Sequence, residues 1–170
     1  MSGFKKDHKN TPVILIVGRS GAGKTTFIEK LIPELRRRGL RVGTIKHDVH
    51  GFEMDKPGKD SWRHKKAGSV STIISSSEKI GMVMDVDHDF SIDELLYYFN
   101  DLDIILTEGF KRENRPKVEI FRPEVHDTPL CNGDDKLLAL VSDHDLDLGV
   151  PRFGLEDING VAEFLIKSCC

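Results

Sequence analysis

The 170-residue chain has no apolar run near the ~20 residues that cross a bilayer, so a membrane-spanning helix is excluded. Residues 1–10 are polar, lack the apolar core of a signal peptide, and are expected to form a flexible tail. Cysteine is scarce. Cys131, Cys169 and Cys170 show no metal-ligand spacing, and their odd number argues against a disulfide framework. A reducing, cytoplasmic setting is therefore expected. Also missing are the aromatic pattern of an RNA-binding sheet and the spacing of a zinc finger, so nucleic acid is not an expected partner. The Asn-Lys-x-Asp motif that usually recognises guanine in GTPases is absent as well.

The formal net charge of −3 hides an uneven distribution. Residues 1–68 hold 16 Lys and Arg against 7 Asp and Glu, whereas residues 69–170 hold 9 against 21. Two solvated faces of opposite sign would account for this. Yet Lys56, Lys59, Arg63, Lys65 and Lys66 crowd one stretch, where they would concentrate an anionic ligand.

What is present is a complete G-x-x-x-x-G-K-[ST] loop, Gly18-Arg19-Ser20-Gly21-Ala22-Gly23-Lys24-Thr25. It follows the apolar run Val13-Ile14-Leu15-Ile16-Val17 and opens an amphipathic stretch, the context that separates a phosphate-binding loop from a chance match. Its backbone N–H groups and the helix N-terminus behind it are suited to phosphate. Lys24 is expected to reach the β- and γ-phosphates, and the Thr25 hydroxyl to ligate Mg²⁺. The motif implies a bound nucleoside triphosphate.

Apolar runs alternate with helical patterns, which predicts one α/β domain over 1–170 with a mostly parallel twisted sheet and flanking helices. Strands are predicted near 12–17, 40–46, 103–107, 117–121 and 137–141, with a small hairpin from strands near 70–76 and 79–85. The helix after the loop carries Phe27, Ile28, Leu31, Ile32 and Leu35 on one stripe and ends at Gly39, with a kink or distortion expected at Pro33. Further helices are predicted over 60–68, with Asp60 or Ser61 as N-cap, from the capping box Ser91-Ile92-Asp93-Glu94, and over 156–167.

Asp103-Ile104-Ile105-Leu106-Thr107-Glu108-Gly109 has the form of a Walker B strand, with Glu108 at the end that meets the metal or its waters. Lys46-His47-Asp48-Val49-His50 starts where the second strand stops, at the sheet edge where ligands sit. His47 and His50 lack a third partner in any zinc pattern, which leaves contact with an anionic substrate or plain loop packing. Asp48, Asp55 and Asp60 are candidates to orient a nucleophile or a metal-bound water, and the residues alone do not rank them. Lys111, Arg112, Arg115 and Lys117 suggest a second basic patch. Asp143, after the late strand, is placed to accept from the guanine N1 and N2 donors, which would leave adenine unmatched.

Three blocks together resemble the MobB family of molybdopterin-guanine dinucleotide biosynthesis proteins. They are residues 18–26, residues 44–68 including Asp55-Lys56-Pro57-Gly58-Lys59-Asp60-Ser61, and Glu108-Gly109-Phe110-Lys111 with Pro116-Lys117 and Glu119. The resemblance implies a GTP-binding P-loop protein of the signal-recognition-particle/MinD-like class, a weak GTPase and a homodimer. It implies an adaptor in molybdenum-cofactor maturation that assists the MobA guanylyltransferase, and leaves open whether molybdopterin itself touches the chain. By the same resemblance Ser20, Gly21, Ala22, Gly23, Lys24, Thr25, Thr26 and Gly109 hold the nucleotide. Thr25 and Glu108 face Mg²⁺ and Asp60 is the active-site loop acid, while from the residues themselves Lys46, His47, His50, Lys59 and Lys111 are expected to line a substrate loop. Where the family often carries another His, this chain has Val49, which weakens any metal cluster there. A small-molecule kinase is the alternative, and a nucleotide-binding scaffold without hydrolysis is a third reading.

Overall fold

The computed structural model describes residues 11–169, so the expected tail at 1–10 lies outside the described residues. The chain divides into two compact units, one formed by residues up to 47 and from 96 onward, the other by 48–95.

Six strands build the first unit's sheet: β1 (Val13–Val17), β2 (Val42–Lys46), β5 (Ile104–Glu108), β6 (Lys117–Ile120), β7 (Leu137–Val141) and β8 (Arg152–Phe153). Their order is β2-β5-β1-β6-β7-β8, and every pairing is parallel. All strand C-termini therefore reach one edge. The two-residue β8 escaped the sequence reading because it is too short to show a period.

Helices α1 (Lys24–Arg37) and α4 (Ile158–Cys169) lie against one face. Phe27, Leu31 and Leu35 of α1 and Val161 and Leu165 of α4 close over Ile14, Ile16, Leu106, Val118 and Val141. Burying side chains of this size contributes about 1.5–3 kcal/mol each before the entropy of ordering them. Helix α1 ends in a Schellman motif: Gly39 (φ 91) donates to the Arg36 carbonyl and Leu40 to that of Leu35. It runs through Pro33 as one element, with Pro33 on the exposed side. Asp157 caps α4 by accepting from the Gly160 N–H.

The opposite face is covered partly by irregular chain, which explains the charges inside β6. Alternation sends Val118 and Ile120 toward the helices and Lys117 and Glu119 the other way. A loop laid on a sheet brings backbone N–H groups with no ladder to join. Glu119, 1% exposed, accepts from the N–H groups of Leu130 and Cys131. Lys117, 4% exposed, is bonded to Asp134 at 2.6 Å. Lys117 is thus a buried structural cation and not part of the basic patch expected around it. Burial, and then the Glu119 carboxylate, push the nearby Cys131 thiol up to about 12, which makes it an inert thiol.

The second unit holds α2 (Asp60–Lys66), the antiparallel hairpin of β3 (Ser71–Ser75) and β4 (Ile80–Met84), and α3 (Ile92–Leu95). The predicted capping box is present: Ser91 N–H donates to the Glu94 carboxylate at 2.9 Å, and Glu94 N–H to the Ser91 hydroxyl at 3.3 Å. At α2 the cap differs from expectation. The extended backbone of Lys59 makes it the N-cap, so Asp60 is the first helical residue, facing the dipole and 3.8 Å from Arg63.

Asp134→Asn is expected to lower stability by about 3 kcal/mol, because it leaves the Lys117 ammonium buried without its counter-charge. Lys117 also holds the Asp134 carboxyl below its ordinary value. The pair's contribution is therefore full above the unfolded carboxyl value of about 3.9 and drains as pH falls through the lower folded one. Urea unfolding at pH 7 and at pH 3 should find the gap between wild type and variant narrowing in acid.

Candidate nucleotide site

Central in the sheet, β1 delivers residues 18–25 to the edge where all strands end. Gly18, Gly21 and Gly23 all take positive φ, at 145°, 78° and 92°, a region in which side-chain-bearing residues are strained. Gly18 also passes so close to the Ile120 carbonyl that a Cβ there would collide with it. The expectation that this motif is a curled loop opening a helix holds, since α1 begins at Lys24.

Lys24 folds back over the loop, its Nζ donating to the carbonyls of Gly18 and Arg19 at 3.0 Å each. Burial lowers its pKa first; the Glu108 carboxylate opposes that shift, and Lys46 and Lys111 add to it. Lys24 thus feels two other lysines as well as one carboxylate. The Thr25 hydroxyl lies 2.9 and 3.0 Å from the two Glu108 carboxylate oxygens. Glu108 ends β5 beside β1, in register with Ile16 on one side and Lys46 on the other, and Lys46 Nζ stands 3.7 Å from it. A hydroxyl beside a carboxylate is the hard oxygen donor set that suits Mg²⁺, so Thr25 and Glu108 fit that ion. Among the described residues no group of three or more His, Cys, Asp or Glu side chains converges to hold a metal by itself.

Gly109 (φ 110) turns the chain across the end of β2, where a Cβ would stand 2.9 Å from that of His47. The His47 ring stacks on Phe110 at 4.6 Å, and the His47 backbone N–H donates to the Glu108 carbonyl. His47 thus has the packing role that the sequence left as one of two readings. His50, Lys59 and Asp60 belong to the second unit. There His50 N–H donates to the Asp48 carboxylate, Asp55 accepts from Lys56 N–H, and Asp60 is 89% exposed at its side chain.

On the other side of β1, the ends of β6, β7 and β8 surround a cavity of about 330 Å³ lined by Phe121, Arg122, Glu124, Asp143, His144 and Leu155. Small-molecule sites begin at about this volume. Asp143 belongs to it, and its Oδ1 accepts from the Leu155 N–H at 2.8 Å, which orients the carboxylate. The chain after β6 wraps the phosphate loop: His126 Nε2 donates to the Ser20 carbonyl at 2.8 Å, and Val125 packs on Gly21. Sequence reading missed Arg122 and His126. The rule that ligands collect past strand C-termini, applied to β2 and β5, would have flagged Arg122 had it been applied to β6.

A phosphate loop springing from the central strand of a parallel sheet, with its threonine bonded to a carboxylate at the end of the adjacent strand, defines the P-loop class of α/β folds. The comparisons with known proteins narrow this. Residues 13–143 match the family described as MobB, molybdopterin guanine dinucleotide synthesis protein B. The chain belongs to that family. It is 39% identical over 156 residues to the molybdopterin-guanine dinucleotide biosynthesis adapter protein of Haemophilus influenzae, covering 91% of this chain and 87% of the relative. The protein of the same name in Escherichia coli is 37% identical over 161 residues, 92% of each chain. Bacillus subtilis MobB superposes with a TM-score of 0.74 at 27% identity, over 94% of this chain and 98% of that one. A structure of molybdopterin-guanine biosynthesis protein B gives 0.72 at 29% identity, over 91% and 98%.

Because Asn keeps a carbonyl for the Leu155 N–H, Asp143→Asn should fold normally and change only what the cavity prefers. If Asp143 reads guanine, the preference for GTP over ATP should fall about tenfold, the worth of one charge-assisted hydrogen bond. Competition binding of the two nucleotides reads that ratio, and an unchanged ratio would release Asp143 from this role.

Proposed function

We propose that this chain is a GTP-binding adaptor in molybdopterin-guanine dinucleotide biosynthesis, a slow GTPase that assists the guanylyltransferase of that route. The observation that carries the nucleotide reading is the Thr25 hydroxyl held by Glu108 at the end of the phosphate loop, with Lys46 Nζ 3.7 Å from the same carboxylate. The adapter names of the Haemophilus and Escherichia relatives support the biosynthetic context.

Phosphoryl transfer asks little covalent chemistry of a protein and depends on positioning and charge. In this reading the N–H groups of residues 20–26 and the Lys24 ammonium cradle the β- and γ-phosphates. Two of the three Lys24 donors are spent on loop carbonyls, which fixes the side chain and leaves the third for a phosphate oxygen. Mg²⁺, when bound, neutralises charge that develops on the transferred group. Thr25 and Glu108 would hold such an ion. Transfer of the γ-phosphate to a bound acceptor would instead make the chain a kinase, and molybdopterin is the pterin an adaptor would present.

Protein incubated with γ-labelled GTP distinguishes these outcomes. Slow release of free phosphate is expected; label on an added pterin would favour the kinase, and neither outcome would leave a scaffold. Lys24→Ala should weaken GTP binding about tenfold to a hundredfold by calorimetry.

A homodimer is part of the same proposal. Register and alternation put Ser71, Ile73, Ser75, Ile80, Met82 and Met84 on one face of the hairpin, all exposed and none charged. A two-stranded sheet alone is marginal in water, and an uncharged apolar face is complementary to itself across a two-fold axis. A second copy is the occupant this face suits. Sedimentation should find a dimer at micromolar concentration and a monomer for the Ile73→Lys, Met82→Lys variant.

A further inference from the structure

The Arg122 guanidinium stands at the seam between the phosphate loop and the cavity. Two of its atoms, Nη2 and Nε, lie 3.4 and 3.5 Å from the point where Gly23 would carry a Cβ, and the same side chain lines the cavity wall. Its Nε is buried and makes no hydrogen bond. None of the ion pairs among the described residues engages it, although Glu124 and Asp143 line the same cavity. The segment that carries it is anchored. Val125 and His126 donate their N–H groups to the Arg122 carbonyl, and the His126 ring grips Ser20. A cation is thus held at a phosphate loop, partly removed from water, with its fork of donors unspent.

Taking polar donors out of water without a partner is unfavourable, and a guanidinium matches oxyanions in a planar, bidentate way. The strand order sets Arg122 apart from Glu108. Glu108 ends β5 on one side of β1, and Arg122 follows β6 on the other. A nucleotide with its terminal phosphate and metal at Thr25 and Glu108 runs its nucleoside toward the Asp143 cavity. Arg122, against Gly23 and in the cavity wall, would then stand between them, beside the phosphate bonded to the ribose.

We propose that Arg122 is a phosphate ligand, binding the nucleoside-proximal phosphate of the nucleotide from the side of the loop opposite Glu108. This rests on the nucleotide-binding reading above. It separates two jobs along the phosphate chain: Lys24 serves the distal phosphates, and Arg122 serves the one that mono-, di- and triphosphates share.

The test is competition of GMP, GDP and GTP against a fluorescent guanine nucleotide, for wild type, Arg122→Ala, Arg122→Gln and Arg122→Lys, with thermal melting of each. Removing Arg122 should weaken all three nucleotides by the same factor of about ten, with partial recovery in the Lys variant. The Gln variant keeps the stem that packs on Gly23, so its loss reports the charge and not the fold. Lys24→Ala, in contrast, should weaken GTP and GDP and spare GMP. Wild-type affinities in Arg122→Gln would overturn the assignment and leave the nucleotide reading intact, and so would a loss confined to GTP. A wild-type protein that binds none of the three overturns both.

Discussion

The contact between Gly18 and the Ile120 carbonyl, at the point where β1 ends and the phosphate loop begins, sets the geometry of everything around it. All five residues of β1 are buried, and β1 is hydrogen-bonded to β5 on one side and β6 on the other, so it has no freedom to shift. The loop leaves that strand across a neighbour's backbone, and only glycine fits the gap. From this fixed start Lys24 and Thr25 fall beside Glu108. Two residues beyond Ile120, Arg122 arrives at Gly23. The site is a consequence of three adjacent strands ending at one level.

The charges inside β6 answer a different demand. A parallel sheet is normally covered on both faces by helices, whose backbones satisfy themselves. Here part of one face is covered by irregular chain. The sheet meets the needs of that chain with Glu119 for two N–H groups and Lys117 for Asp134. Stability and loop shape are tied together at this spot, and the same loop carries Arg122 and His126.

Much of this architecture was legible in the sequence, because its strongest signals are local. The phosphate loop, the apolar strand with its terminal Glu108, the stripe on α1 and the capping box at Ser91 each depend on residues close along the chain. The misses depend on partners far along it. Lys117 reads as one more surface lysine until Asp134, 17 residues later, is seen to pair with it. Lys59 rather than Asp60 caps α2, which depends on backbone angles and not on residue type. Arg122 lies in no motif, and its meaning comes from the fold setting β6 beside β1. His47 lay between the two cases. Its position at a strand end was readable, but its stacking on Phe110 needed β2 and β5 to be neighbours.

The order β2-β5-β1-β6-β7-β8 has a consequence for how such a protein can change over time. Neighbouring strands lie about 4.8 Å apart, so the end of β5 and the end of β7 are separated by roughly 14 Å. Side chains that far apart do not touch, so their contributions to the stability of the fold add almost independently. Substitutions past β7 and β8 can therefore change the lining of the cavity without disturbing the packing of the residues at the end of β5. The reverse holds equally. Width of sheet here amounts to evolutionary freedom: two traits inherited on one scaffold, each able to drift while the other is conserved.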